Sequence, residues 1–273
     1  MPLGNTGKAD AGDEARARRP ARIGEAVKTA SKLNLSHDGC GKDYNMHIEP
    51  GVVDGAKIVL SYATAAAAAG LTLKMSMDTV RKDGGAAALA VRSVMTTLLV
   101  FTFFEVFPHH AVGVSEVHLI LGSTLYLLFG AGPAAIGLAL GLLVQGVFFA
   151  PFDLPQYGMN VTTLLVPLYG MSLLAKKIIP ANTAYKDVSY AQALALSTSY
   201  QGGIVLWVGF WALYGHGFGA ENLAQIASFG AAYMLVIIVE PLADLGVLAI
   251  AKTISRIDGG LLLNNRLFSH AAA

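Results

Sequence analysis

A histidine in second position after a chain-starting methionine offers three nitrogens to one metal ion: the terminal amine, the intervening backbone amide and the imidazole. Met46-His47-Ile48 has that form when Met46 is the first residue. The three nitrogens close fused chelate rings in one plane and leave one in-plane position for a donor from elsewhere. Square-planar nitrogen sets of this kind suit Ni(II) and Cu(II), and Co(II) can be accommodated. The candidate fourth donor is His118, in Val114-Ser115-Glu116-Val117-His118. A lone histidine inside a membrane bundle is as often a hydrogen-bonded packing residue, so the chemistry turns on where the chain places residues 47 and 118.

Composition says which elements must do the placing. Apolar residues make up 54% of the 273-residue chain and charged residues 14%, the mean hydropathy is +0.55, and the apolar residues fall in long runs rather than helical stripes. These properties predict an all-α integral membrane protein. Seven runs, at roughly 52–75, 86–107, 111–130, 132–152, 158–179, 190–214 and 223–251, each approach the ~20 residues a helix needs to cross the hydrocarbon core. A single cysteine, Cys40, excludes a disulfide framework or a CxxC metal site within one chain. No GxxxxGK[ST] occurs and no polar segment is long enough for an ATPase domain, so the chain is expected to be no enzyme and to take its energy from partners or an ion gradient. Nothing points to nucleic acid.

Basic residues set the orientation. Lys74, Arg81 and Lys82 lie at or just past the end of the first run, Lys176, Lys177 and Lys186 at or past that of the fifth, and Lys252, Arg256 and Arg266 past that of the seventh, whereas the alternate connections carry no Lys or Arg. Positive residues favour the cytoplasm, which predicts seven helices with the start of the first outside and the C-terminus inside. The only basic residue near an outer end after the leader is Lys57. Residues 47 and 118 then share the outer depth. The leader, residues 1–45, holds eight Lys or Arg and lacks an apolar signal core, so its export would oppose the same bias. It reads as a disordered polar segment outside the mature protein, with Met46 as the working start, residues 46–254 as the permease domain and residues 255–273 as a cytoplasmic tail.

Met46-His47-Ile48-Glu49-Pro50-Gly51, the Val114 to His118 motif with Gly122, the Phe129-Gly130-Ala131-Gly132-Pro133 turn and Tyr157-Gly158-Met159-Asn160 together resemble the CbiM/NikM family. These are the substrate-binding membrane components of energy-coupling-factor ABC importers for cobalt and nickel. In that family the mature protein begins with Met-His, its N-terminal segment threads into the bundle, and the metal is held by the amine, the second-residue amide and imidazole, and a distant histidine. By position these fall on Met46, His47 and His118. The resemblance implies capture of Co(II) or Ni(II) outside and delivery to the cytoplasm, with cobalamin synthesis one destination. It also implies an inner-membrane setting among lipid, no resident cofactor, and three kinds of partner: a transmembrane coupling component, ABC ATPase subunits and a small membrane subunit. Family proteins begin at the Met-His pair, whereas this chain carries 45 residues ahead of it.

Other polar residues sort around that site. His109 and His110 are an outer-loop pair, solvated or cation-collecting. Glu116, two residues before His118, falls on a different face of a helix and is no ligand there, though it can orient another group. Asn160 caps its helix or bonds the N-terminal segment. Glu105 lies near the outer end of its run. Glu240, before Pro241 in the seventh run, is costly in a membrane; it either satisfies backbone groups freed by the proline or serves a stand-alone proton-coupled metal carrier, the alternative to the ABC reading, with Asp244 one turn on. Gly137 and Gly141 predict close helix contact, Gly202-Gly203 a weak point, and Trp207, Trp211 and Tyr214 an interfacial anchor.

Overall fold

Lipid offers no partner for open backbone groups, so apolar runs of this length close into helices. In the computed structural model, which describes residue 48 and residues 51–253 and 261–269, a 3-10 turn, Gly55–Ile58, leads into α1, Val59–Lys82. There follow α2 (Gly85–Glu105), a hairpin of β1 (His110–Val112) and β2 (Ser115–Val117), α3 (Gly122–Phe129), α4 (Ala131–Phe148), α5 (Tyr157–Ile178), α6 (Tyr190–His216) and α7 (Ala220–Thr253). The chain divides into two units between Tyr44 and Asn45, and every described residue belongs to the second. Five helices among the described residues, α1, α2, α4, α5 and α7 with their flanking turns, are long and apolar enough to cross a membrane. Helix α6 is as long but carries Ser197-Thr198-Ser199-Tyr200-Gln201 at its middle.

The expected third span, 111–130, is not one helix. Its first half pairs as the antiparallel hairpin, His110 opposite Val117 and Val112 opposite Ser115, around the two-residue turn Gly113-Val114. Gly113 sits at φ +65°, the left-handed conformation that two-residue hairpin turns require. A side chain there would also strike the Gln225 backbone of α7. Only the second half is helical, eight residues long, so α3 starts and stops inside the protein.

A short buried helix needs partners for its end groups. At the start of α3, Ser123 N donates to Glu240 Oε1 at 3.0 Å, and the Ser123 and Thr124 hydroxyls donate to Asp244. At its end, Arg92 donates to Phe129 O at 3.4 Å and pairs with Asp83 at 2.6 Å, while Asn264 N donates to Leu128 O at 2.7 Å. Glu240 thus satisfies the N-terminus of another helix, not its own helix at Pro241, through which α7 runs unbroken.

Small residues set the helix spacing. Gly137 and Gly141 of α4 face Thr96 and Val100 of α2 so closely that an added side chain would clash, the approach their spacing predicts. Helix α6 runs intact through Gly202-Gly203, and the expected weak point is instead the seat for Pro167 of α5, 2.7 Å from where a Gly203 side chain would begin. Gly122 meets the Tyr200 ring in the same way. We expect Gly122→Ala to cost about 1–3 kcal/mol, as overpacking does, seen as a lower thermal-unfolding midpoint in detergent.

Both ends of the bundle are stitched by polar contacts. Lys57, the exception to the charge pattern, donates to Tyr214 O and Gly215 O at 3.1 Å each, closing the C-terminus of α6. The expected anchor is largely internal: Trp211 is fully buried and Trp207 Nε1 donates to Thr162 Oγ1 at 3.1 Å. Residues 261–269, expected as part of a tail, pack against the bundle's other end. There Asn265 N donates to Asp83 Oδ1, Arg266 donates to Ile179 O and Pro180 O, and Leu267 is buried.

Candidate functional site

The site is built on the hairpin. Strand geometry sends residues i and i+2 to one side, so Glu116 and His118 share a face that helical spacing would have split. The His118 Nε2 atom lies 3.3 Å from Glu116 Oε2. Glu116, read from the sequence as pointing elsewhere, is thus the nearest carboxylate to the candidate ligand. The short alternation Glu116-Val117-His118-Leu119, soon after a Gly-containing pair, was the signal that could have found it.

Four residues clasp the His118 ring and backbone. Phe104 of α2 meets the ring edge-on with centroids 5.2 Å apart, and His109 stacks on it at 5.2 Å and 28°. Tyr233 of α7 hydrogen-bonds the His118 backbone, and Ile120 N donates to His118 O at 3.0 Å. The two loop histidines therefore part company: His110 is exposed on β1, whereas His109, anchored by a 3.2 Å contact of Nδ1 with Phe107 O, belongs to the site.

His118 is 1% exposed and lies outside the membrane-spanning helices. Burial, reinforced by His109, pushes its imidazole down to about 3. It meets Glu116 as a neutral ring whose N–H can face the carboxylate while the other nitrogen keeps a lone pair. That is the form a metal takes up, and a carboxylate behind the ring is the usual outer-shell support.

A cavity of about 20 Å³ opens beside it, lined by Ile48, Glu116, His118, Asn160, Phe229 and Tyr233 among others, room for one water-sized guest. Ile48 reaches it from the N-terminal side. Its side chain is 1% exposed, and its N–H donates 3.3 Å to Asn160 Oδ1 near the start of α5. Of the two roles expected for Asn160, capping and bonding the N-terminal segment, the second is present; no side-chain cap bond forms on α5. Val52 and Val53 are buried as well, and the Val52 carbonyl lies where a side chain on Gly215 would go. Ile48, Val52 and Val53 are therefore packed into the bundle.

Met46 and His47 lie outside the described residues. Among the described residues no three His, Cys, Asp or Glu side chains come together as a metal site, and those facing the cavity are His118 and Glu116. Glu105 lines neither this cavity nor its neighbour around Asp153.

Comparison with known proteins gives one family. The sequence matches the family described as "Cobalt uptake substrate-specific transmembrane region" over residues 47–256, and the chain belongs to that family. No curated protein and no solved structure matches it.

Proposed function

From membership of that family, a membrane component of cobalt uptake, we propose that this protein is the substrate-specific subunit of an energy-coupling-factor ABC importer. It captures Co(II) or Ni(II) outside the cell and delivers it across the inner membrane, with cobalamin synthesis one destination. A coupling component, ATPase subunits and a small membrane subunit are its partners, and ATP is hydrolysed only in the ATPase. The bundle has seven membrane-crossing or membrane-buried helices, with the hairpin end outside and the lysine-rich end in the cytoplasm.

The observation that carries this reading is the burial of Ile48 in the His118 cavity with its N–H on Asn160 Oδ1. In this reading the chain begins at Met46-His47, and the amine, amide and imidazole of that pair join His118 as the donors. The cavity admits one ion only after its hydration shell is replaced by protein donors. Four nitrogens, three in fused rings and one on a clasped imidazole, replace that shell in the planar arrangement Ni(II) accepts, and Co(II) as well. Glu116 orients His118 from behind.

Uptake of labelled Co(II) or Ni(II) by cells expressing the protein with its transport partners tests the function. Uptake is expected to vanish when the partner ATPase loses its phosphate-binding lysine and to survive collapse of the proton gradient. Uptake by this protein alone that collapses with the gradient would overturn the ABC reading in favour of a stand-alone carrier.

A further inference from the structure

The carboxylate of Glu240 lies on α7 and does not line the cavity, and nothing in metal coordination uses it. It is nevertheless joined to His118 by a short series of hydrogen bonds. Glu240 Oε2 accepts from Ser197 Oγ at 2.7 Å and from Gln201 Nε2 at 2.9 Å, and Oε1 accepts from Ser123 N at 3.0 Å. The same Gln201 Nε2 donates to Ile120 O at 2.7 Å. Ile120 lies in the connector 118–121, which has no regular structure and leads into α3, and which is pinched by two tight turns: Ile120 N on His118 O at 3.0 Å and Gly122 N on Ile120 O at 2.9 Å. Such a connector takes its shape from what holds its two ends and its middle.

Glu240 holds two of these three places. Through Ser123 it fixes the first turn of α3, where the carboxylate also meets the positive end of the helix dipole. Through Gln201 it fixes the Ile120 carbonyl, two residues from His118. We propose that Glu240 is a positioning residue for the metal site: with Gln201 as intermediary, it sets where the His118 imidazole stands relative to the cavity. The inference rests on the reading of His118 as a metal ligand. Metal geometry tolerates errors of only about 0.5 Å in a ligand, so a connector released at Ile120 lowers affinity and distorts the ligand field without removing any ligand.

The test is Ni(II) binding to the purified protein that begins at Met46, followed by calorimetry and by the d–d absorption spectrum. Gln201→Met keeps side-chain length and leaves Glu240 bonded to Ser197 and Ser123, so it separates positioning from folding. We expect Gln201→Met and Glu240→Ala to weaken binding about 10- to 100-fold, the range for outer-shell partners, and to shift the absorption band. Glu240→Gln keeps an acceptor for Ser123 N but turns an amide nitrogen toward the Gln201 donor, so it is expected to match Gln201→Met. Wild-type affinity and an unshifted band in Gln201→Met and Glu240→Ala, with binding lost in His118→Ala, would overturn the positioning role alone. An unshifted band in His118→Ala itself would bring down the ligand reading and the positioning role together. If Glu240→Ala does not fold, Gln201→Met decides.

Discussion

His118→Ala is expected to leave a folded protein that no longer binds Co(II) or Ni(II) tightly. The ring is fully enclosed: Phe104 meets it edge-on, His109 stacks on it and Glu116 lies 3.3 Å from it, while the Tyr233 bond goes to the backbone, which alanine keeps. Folding therefore survives with a moderate loss from the vacated volume, about 1–3 kcal/mol if the neighbours collapse in part. Metal binding loses its fourth nitrogen. Loss of an outer-shell partner alone lowers metal affinity about 10- to 100-fold, so loss of the ligand it supports exceeds the top of that range. Titration calorimetry on the purified variant measures it, with a thermal melt as the folding control. Tight binding retained in His118→Ala would exclude His118 from the site. Glu116→Gln provides the graded comparison, since it keeps the ring and weakens only the acceptor behind it.

That contrast between ligand and support also separates what was legible in the sequence from what was not. The helical character and the close pairs at Gly137 and Gly141 follow from apolar run length and small-residue spacing, which act locally and leave a direct record, while residue 47, expected at the depth of His118, lies outside the described residues. The hairpin left a weaker record. In 111–130 the apolar residues are dense enough to imitate a span, and the strand signal is only a Gly-containing pair followed by the short alternation Glu116-Val117-His118-Leu119. Reading that stretch as helix put Glu116 on the wrong face and hid His109 from His118. Glu240 was harder still, because its partners Ser123, Ser197 and Gln201 lie 117, 43 and 39 residues away. An acid beside a proline gives no hint that it caps a different helix. Tertiary contacts of that separation leave no pattern in the chain.

The largest effect is expected at the other end of the donor set. A protein that begins at Met46 should bind Ni(II) at least about 100-fold more tightly than the same protein carrying residues 1–45, or than one in which Met46 is acetylated. A peptide bond to Asn45 turns the amine, the strongest donor available, into an amide nitrogen whose lone pair is delocalised. It also breaks the first of the two fused chelate rings, whose closure makes the planar set favourable. The pH dependence distinguishes this from a steric effect of the added chain. Protons compete with the metal for each donor, so binding by the free-amine form should weaken in an upper step where an α-amine ordinarily takes up its proton, about 8, and again in a lower step where an imidazole does. His118 adds no step there, since burial holds its imidazole neutral down to about 3. The acetylated form should lack the upper step and keep the lower one. N-terminal sequencing of protein made from the native gene is expected to read Met-His-Ile. Tight binding by a protein that retains Asn45 ahead of Met46, with an unaltered pH profile, would remove the amine from the donor set and leave His47 and His118 to be completed by other donors.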